Sequence, residues 1–196
     1  MRIRDPKAMR ALAHPLRFDL IELLGIRGRA TAAECARHLG TSQASCSFHL
    51  RQLAKYGFVE EAEPSDGDQR KRPWRLTDTH QSWSVEDHPV AARELERVFV
   101  EREAVRLLDF VAARGHLTAD WRDASFLSGL NAPLTPAELT ELHRAFAELL
   151  KPYEARAQGS ARAPTDARWT RLFLSGAPLT TPEERRRADG DPDEPR

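Results

Sequence analysis

The chain has 196 residues, 40% of them hydrophobic, and its 30 Lys+Arg balance 30 Asp+Glu for a formal net charge of +0. That is enough apolar material for one larger domain or two small ones, and it excludes a wholly disordered polymer. Two cysteines are too few for a disulfide scaffold; the absence of any run of about 18 apolar residues and of an apolar core behind Met1 to Lys7 predicts a soluble, cytoplasmic protein that does not span a membrane.

Zero net charge hides a division. Residues 1–77 hold 14 Lys+Arg against 9 Asp+Glu, while residues 78–196 hold 16 against 21. A basic part followed by an acidic part suits a segment that meets phosphate joined to one that faces away from it.

Asp5 is placed to cap a first helix, with Pro6 at the first helical position where its missing N–H is harmless. Met9, Leu12, Ala13, Leu16, Leu20, Leu23 and Leu24 then recur at spacings of three and four, which defines a buried face. Pro15 inside that pattern predicts a break near His14 and a second helix ending at Gly25. Thr31 and Glu34 form a capping box for the next helix, whose inner face is Cys35, Ala36 and Leu39 and whose stop is Gly40.

Ser42 opens the following helix, which stops before Gly57. At about 100° per residue, Cys46, Leu50 and Leu53 share one face; Ala44, Ser47, Phe48 and Arg51 share the opposite one, flanked by Gln43. Two short helices meeting at Leu39 to Ser42 have the layout of a helix-turn-helix. An outer face of small and polar residues with one Arg can approach base edges closely.

Phe58–Ala62 and Trp74–Thr77 read as two strands around the turn formers Pro64–Asp68. Arg70, Lys71 and Arg72 precede the return strand, where a hairpin beside a helix-turn-helix would lie along a phosphate backbone; the competing reading is that they keep an edge strand soluble. Residues 79–89, with Trp83, form a connector. A helix from Val90 to Arg114 follows, roughly 37 Å long, with Leu95, Val98, Phe99, Val105, Leu108 and Val111 or Ala112 as its stripe. A stripe of that length needs a partner, and a second copy is the simplest one. Arg102 interrupts it, which favours a mixed bundle over a pure coiled coil.

Residues 119–134 predict a bent helical or loop segment. Thr135, Pro136 and Glu138 make a second capping box, followed by a buried face of Leu139, Leu142, Phe146, Leu149 and Leu150. After Tyr153 the composition predicts a surface linker, Trp169–Leu174 a short strand, and Thr180 onward a disordered tail. The predicted fold class is thus mainly α with a small β-hairpin wing. Residues 1–78 form a winged helix-turn-helix domain, 79–175 a helical dimerisation extension that is also the candidate effector domain, and 176–196 the tail.

The stretches Ala11–Arg17, Ala32–Glu34, Leu39–Gly40, Ser42–Leu53, Gly57–Val59 and Arg70–Leu76 together resemble the ArsR-type winged-helix bacterial transcription regulators over residues 7–77. Asp123–Leu127 and Leu134–Leu139 resemble the helical extension of an actinobacterial-type branch of that family. The resemblance implies a homodimer that binds double-stranded operator DNA through paired recognition helices and, in many members, releases it on binding a small-molecule effector. It places base contacts at Gln43, Ala44, Ser47 and Phe48, within a DNA-binding set that also includes Ser42, Ser45, Arg51, Arg70, Lys71 and Arg72. Phe48 stands where the family often has a polar or basic side chain; it is assigned either to thymine methyl groups or to packing back on the protein.

The metal-sensing branch carries a Cys-x-Cys on the helix before the recognition helix, and Thr31–Cys35 offers only one thiol, so no metal is expected. Cys35 and Cys46 read as small core hydrophobes, with a redox pair as the sharper alternative. Seven scattered histidines form no ligand pattern, and no phosphate-binding Gly-rich loop, nucleophile elbow or metalloprotease His pair is present, so no enzyme and no cofactor is expected. Trp121, Phe126 and Phe146 are either plain core or the lining of an apolar effector pocket. The sequence therefore reads as a homodimeric, sequence-specific DNA-binding repressor. The alternative is a winged-helix module for protein association in which Phe48 is an apolar contact.

Overall fold

The structure, a computed structural model, describes residues 1–63, 72–78, 82–84 and 88–181. Strand β1 (Arg2–Ile3) precedes helices α1 (Pro6–Leu12) and α2 (Pro15–Arg27), strand β2 (Arg29–Thr31), then α3 (Ala32–Leu39) and α4 (Gln43–Lys55). Strands β3 (Val59–Glu61), β4 (Pro73–Leu76) and β5 (Ser82–Trp83) follow, and the long α5 (Pro89–Ala113) ends in a single 3-10 turn, Arg114–His116. Short α6 (Ala119–Ala124) and long α7 (Pro136–Ala157) complete the order. This is a mainly helical chain with a small antiparallel sheet, a winged helix-turn-helix domain followed by a helical extension. Among the described residues no helix is long and apolar enough to cross a membrane.

The helix boundaries follow from local chemistry. Asp5 accepts the Lys7 N–H at 2.8 Å and Pro6 opens α1. His14, not a hydroxyl or carboxylate, caps α2: its Nδ1 accepts the Leu16 N–H at 3.2 Å. The break expected at His14 is therefore present, but α2 passes Gly25 and ends at Arg27, with Gly28 taking φ 74°. Gly25 lies inside the helix, where a Cβ would make only an ordinary contact, 3.6 Å, with Leu76 Cδ1. Thr31 and Glu34 make the reciprocal capping box, at 2.8 Å from the Thr31 amide and 3.2 Å from the Glu34 amide, and these bonds hold the Glu34 carboxyl below its ordinary range.

The sheet runs β2-β4-β3, all antiparallel, so β4 is central. Ala30 pairs with Trp74, and Val59 with Leu76. The expected hairpin is β3 and β4; its tip, with Arg70 and Lys71, lies outside the described residues. Neither β2 nor the parallel pair that β1 makes with β5 was expected from the residue pattern. That pair buries Ile3 and sets Trp83 edge-on to Phe99, with ring centroids 5.9 Å apart.

The chain divides into two compact units, Met1–Leu130 with Leu150–Trp169, and Asn131–Leu149 with Thr170 onward. The core of the first collects Met9 and Leu12 from α1, Leu20 and Leu24 from α2, Leu50 and Leu53 from α4, Phe58, and Leu95 and Val98 from α5. Leu95 and Val98, expected on a pairing face, are thus covered within their own chain, where α5 packs on α1 and α2. Phe99 is half-buried beside Phe18, while Val105 and Leu108 are 57% and 70% exposed. The expected stripe winds around the helix: its first part enters the core and its last part turns outward.

Arg102 does not merely interrupt that stripe. Its Nε donates to Asp19 and its Nη2 to Glu22, each at 2.8 Å, and Arg106 also reaches Glu22. Glu103, 2% exposed, stands 3.8 Å from both guanidinium groups.

In the extension, α6 is followed by irregular chain, and Arg114 donates to the Ser125 carbonyl at 3.2 Å. The second capping box is formed, with the Thr135 amide 2.8 Å from the Glu138 carboxylate. Two expectations are corrected here. Among the described residues the apolar face of α7 is only partly covered: Leu139 and Leu150 are half-buried, while Leu142 is 44%, Phe146 43% and Leu149 64% exposed. The helix also continues beyond Tyr153 to Ala157 with Pro152 inside it, because Pro removes only one ladder bond near a helix end. Trp169–Leu174 forms no strand, having no ladder partner among the described residues. Of the expected tail, residues 176–181 carry no regular structure and 182–196 lie outside the described residues.

Candidate nucleic-acid interface

Helices α3 and α4 are joined by Gly40, whose φ of 62° is the left-handed geometry that turns the chain, and by Thr41, whose amide bonds the Ala36 carbonyl at 3.1 Å. Ser42 Oγ accepts the Ser45 N–H at 3.1 Å and starts α4. Cys46, Leu50 and Leu53 are fully buried and fix the helix to the core. Their burial leaves Ser42, Gln43, Ala44, Phe48 and Arg51 exposed, with Ser45 and Ser47 half-buried at the edges. The face expected to read DNA is therefore one continuous surface. No acidic residue occurs between Thr41 and Tyr56, so nothing on this helix repels phosphate.

Arg51 is turned back along its own helix, its Nε donating to the Ser47 carbonyl at 3.2 Å. Phe48 is 50% exposed, with its ring edge-on to His49 at 5.2 Å between centroids. At the wing, Arg72 lies 3.6 Å from Glu61, and Arg75 is ion-paired with Glu60 at 2.7 Å. Arg70 and Lys71, the other two bases expected there, fall outside the described residues. In the described stem each of these arginines thus faces a glutamate, and the Arg72 side chain is 76% exposed.

His49 is buried, 9% exposed, on the inner side of α4. Arg17 Nε donates to its Nδ1 at 3.1 Å, and its ring lies 4.4 Å from that of His14. Burial lowers the pKa of both imidazoles; Arg17 and, for His49, the neighbouring His14 push in the same direction, while Asp19 opposes this at His14. The sequence signal for the cluster was the run His14-Pro15-Leu16-Arg17, but its partner on α4 was not legible.

Both cysteines are free and fully buried. Burial pushes the Cys35 thiol up to about 12, aided by Cys46 and Glu34, and raises Cys46 as well. Thiols in that state form no thiolate at neutral pH, which favours the core role over the redox one. A thiol-reactive disulfide reagent added to the native chain near neutral pH is expected to titrate neither cysteine until denaturant is added. Rapid labelling of the native protein would reinstate the redox reading.

Of the aromatics considered for an effector, Trp121 is half-buried under Arg168 at 5.6 Å, Phe126 is 72% exposed after α6, and Phe146 lies on α7. Among the described residues no three His, Cys, Asp or Glu side chains gather in a metal-holding group.

Residues 12–62, from the end of α1 through β3, match a family model described as a helix-turn-helix domain. No curated protein matches the chain. Among solved structures it is similar to the YusO protein from Bacillus subtilis, at 15% identity over 74% of this chain and 83% of that one, with a TM-score of 0.33. It is also similar to NadR in complex with 4-hydroxyphenylacetate, at 20% identity over 61% and 82% with a TM-score of 0.35. A third likeness is to an apo double mutant of Lactococcus lactis ZitR, at 16% identity over 70% and 83% with a TM-score of 0.31. The matched helix-turn-helix domain supports a DNA-binding transcription regulator.

Proposed function

We propose that the chain is a sequence-specific, ArsR-type transcription repressor that binds a palindromic operator as a homodimer, in the cytoplasm alongside its DNA. The observation that carries this reading is the outer face of α4, exposed, free of acids, and built from Ser42, Gln43, Ala44, Ser47, Phe48 and Arg51 on a helix locked to the core. Gln43 has the amide geometry to pair bidentately with adenine, Ser47 can reach a base edge or a phosphate, and Phe48 offers an apolar surface to thymine methyl groups. The wing then adds phosphate contacts that set register.

Pairing is supported by a second apolar line on α5. At about 100° per residue, Val100, Ala104, Leu107 and Val111 share one side, away from the side that enters the core, and all four are exposed. Reading two half-sites one turn of B-DNA apart would require the pair to hold its α4 helices about 34 to 36 Å apart.

Selection of duplexes from a random pool by the full chain tests the reading. An enriched inverted repeat is expected, bound with an affinity that falls as salt rises. Gln43→Ala is expected to relax the preference at one base pair by about 1 to 3 kcal/mol, while Arg72→Ala weakens all duplexes alike. A chain that enriches nothing, and whose partners are unaffected by alanine at Arg70, Lys71 and Arg72, would be the protein-association module instead.

A further inference from the structure

The joint between α1 and α2 is tied to the inner side of the recognition helix by three side chains. Arg17 spans the joint: one guanidinium nitrogen donates to the Ala11 carbonyl, and Nε donates to His49 Nδ1 at 3.1 Å. His14 Nδ1 accepts the Leu16 amide at 3.2 Å, and its ring lies against that of His49 at 4.4 Å with a 40° tilt. His49 in turn meets the edge of Phe48, the residue at the centre of the exposed face. Both Nδ1 atoms are acceptors, so each neutral ring keeps its proton on Nε2.

We propose that Arg17 and His49 are positioning residues for DNA reading: Arg17 holds His49, and His49 sets the placement of Phe48 and of the outer face of α4, an arrangement open only to neutral imidazoles. The proposal rests on the DNA-binding reading above. Protonating either ring at Nδ1 would set a donor against a donor and add a positive charge beside Arg17. The titratable and charged groups that face the pair are Arg17, Asp19 and, through Arg17, Tyr56. Asp19, which favours a charged His14, is itself engaged by Arg102.

The sign follows. Both histidines sit below their ordinary value of 6.5 in the folded chain, so the neutral arrangement is complete above that pH. It is lost as pH falls, because disordered forms of the joint take up protons that the folded one refuses. Added positive charge meanwhile favours any phosphate backbone. Acid should therefore lower discrimination between sequences more than it lowers total affinity.

The test uses the full chain, a duplex enriched from a random pool, and a scrambled duplex of the same composition, at constant salt. The ratio of the two affinities is expected to fall about tenfold between about pH 7.5 and about pH 5.5. His49→Leu, which leaves the Arg17 donor unpaired, is expected to lower the ratio about tenfold at the higher pH. His49→Gln, whose amide oxygen can accept from Arg17, should recover most of it. Adding His14→Asn, still a helix cap, should make the recovered ratio insensitive to pH. Where His49→Leu fails to melt cooperatively, the parent profile and the Gln and Asn variants decide alone. A parent ratio constant with pH, or a pH dependence unchanged in the Gln and Asn variants, overturns the proposal. A pool that yields no enriched duplex overturns the DNA-reading function itself.

Discussion

Arg102→Ala is expected to destabilise the chain by about 2 to 3 kcal/mol, measured by urea denaturation followed by circular dichroism. The side chain is 10% exposed and is shared by Asp19 and Glu22, with Glu103 nearby and almost fully buried. Removing it takes the guanidinium from Asp19 and leaves Glu22 with Arg106. Breaking a fully buried pair costs about 3 to 5 kcal/mol, and the 38% and 32% exposure of Asp19 and Glu22 reduces this, since water screens them in part. Arg102→Lys should restore only part of the loss, because an ammonium cannot bridge two carboxylates as a planar guanidinium does. The effect also has a pH signature. Despite its burial, Glu22 is held below its ordinary value of 4.5 by its bonds to Arg102 and Arg106. Its contribution is therefore present above that pH and lost as pH falls through the folded value. The parent should lose stability through that window, and Arg102→Ala should lose less. A variant within about 0.5 kcal/mol of the parent, the range of ordinary surface changes, would show that the network merely solvates α5.

The network also shows where sequence reading stops. Asp5, the Thr31–Glu34 box, Gly40 and Ser42 were legible because each acts on groups within about four residues, so their chemistry is complete in a short window. Arg102 looked like an interruption because its acids lie on α2, 80 and 83 positions earlier. The place of His49 was not legible for the same reason: the Arg17 donor that satisfies it lies 32 positions away. Three-residue β2 has no room for an alternating pattern and exists because β4 offers it a ladder. The outer face of α4 was readable in full, since burial of Cys46, Leu50 and Leu53 leaves only one way for Gln43, Ala44 and Phe48 to point. The wing was readable only as a hairpin. That Arg72 and Arg75 face Glu61 and Glu60 depends on strand register, which the turn formers alone do not set. On α5 the expected stripe winds around the helix, and on α7 the expected buried face stays partly open, because periodicity does not say what covers a residue. Leu95 and Val98 went to the chain's own core, and Leu142, Phe146 and Leu149 remained exposed.

That division on α5 separates folding from pairing, and the sharpest functional expectation follows from it. Leu107→Glu with Val111→Glu is expected to leave the helix-turn-helix domain folded, because both residues are exposed, at 38% and 57%, and neither belongs to the core. Val98→Ala, 7% exposed inside that core, should lower the melting temperature instead. Across a two-fold interface every substitution appears twice, and each new carboxylate would meet apolar surface or its own symmetry mate. The double variant is therefore expected to run as a monomer by light scattering while keeping the parent's circular dichroism over the winged domain. Its affinity for an enriched inverted repeat should drop by about 10² to 10⁴, since each half-site would be bound without the effective concentration its partner supplies. Affinity for a single half-site should hardly change, as α4 and the wing are untouched. A double variant that remains dimeric and binds the repeat as the parent does would place the pairing surface elsewhere, with the exposed face of α7 the next to substitute.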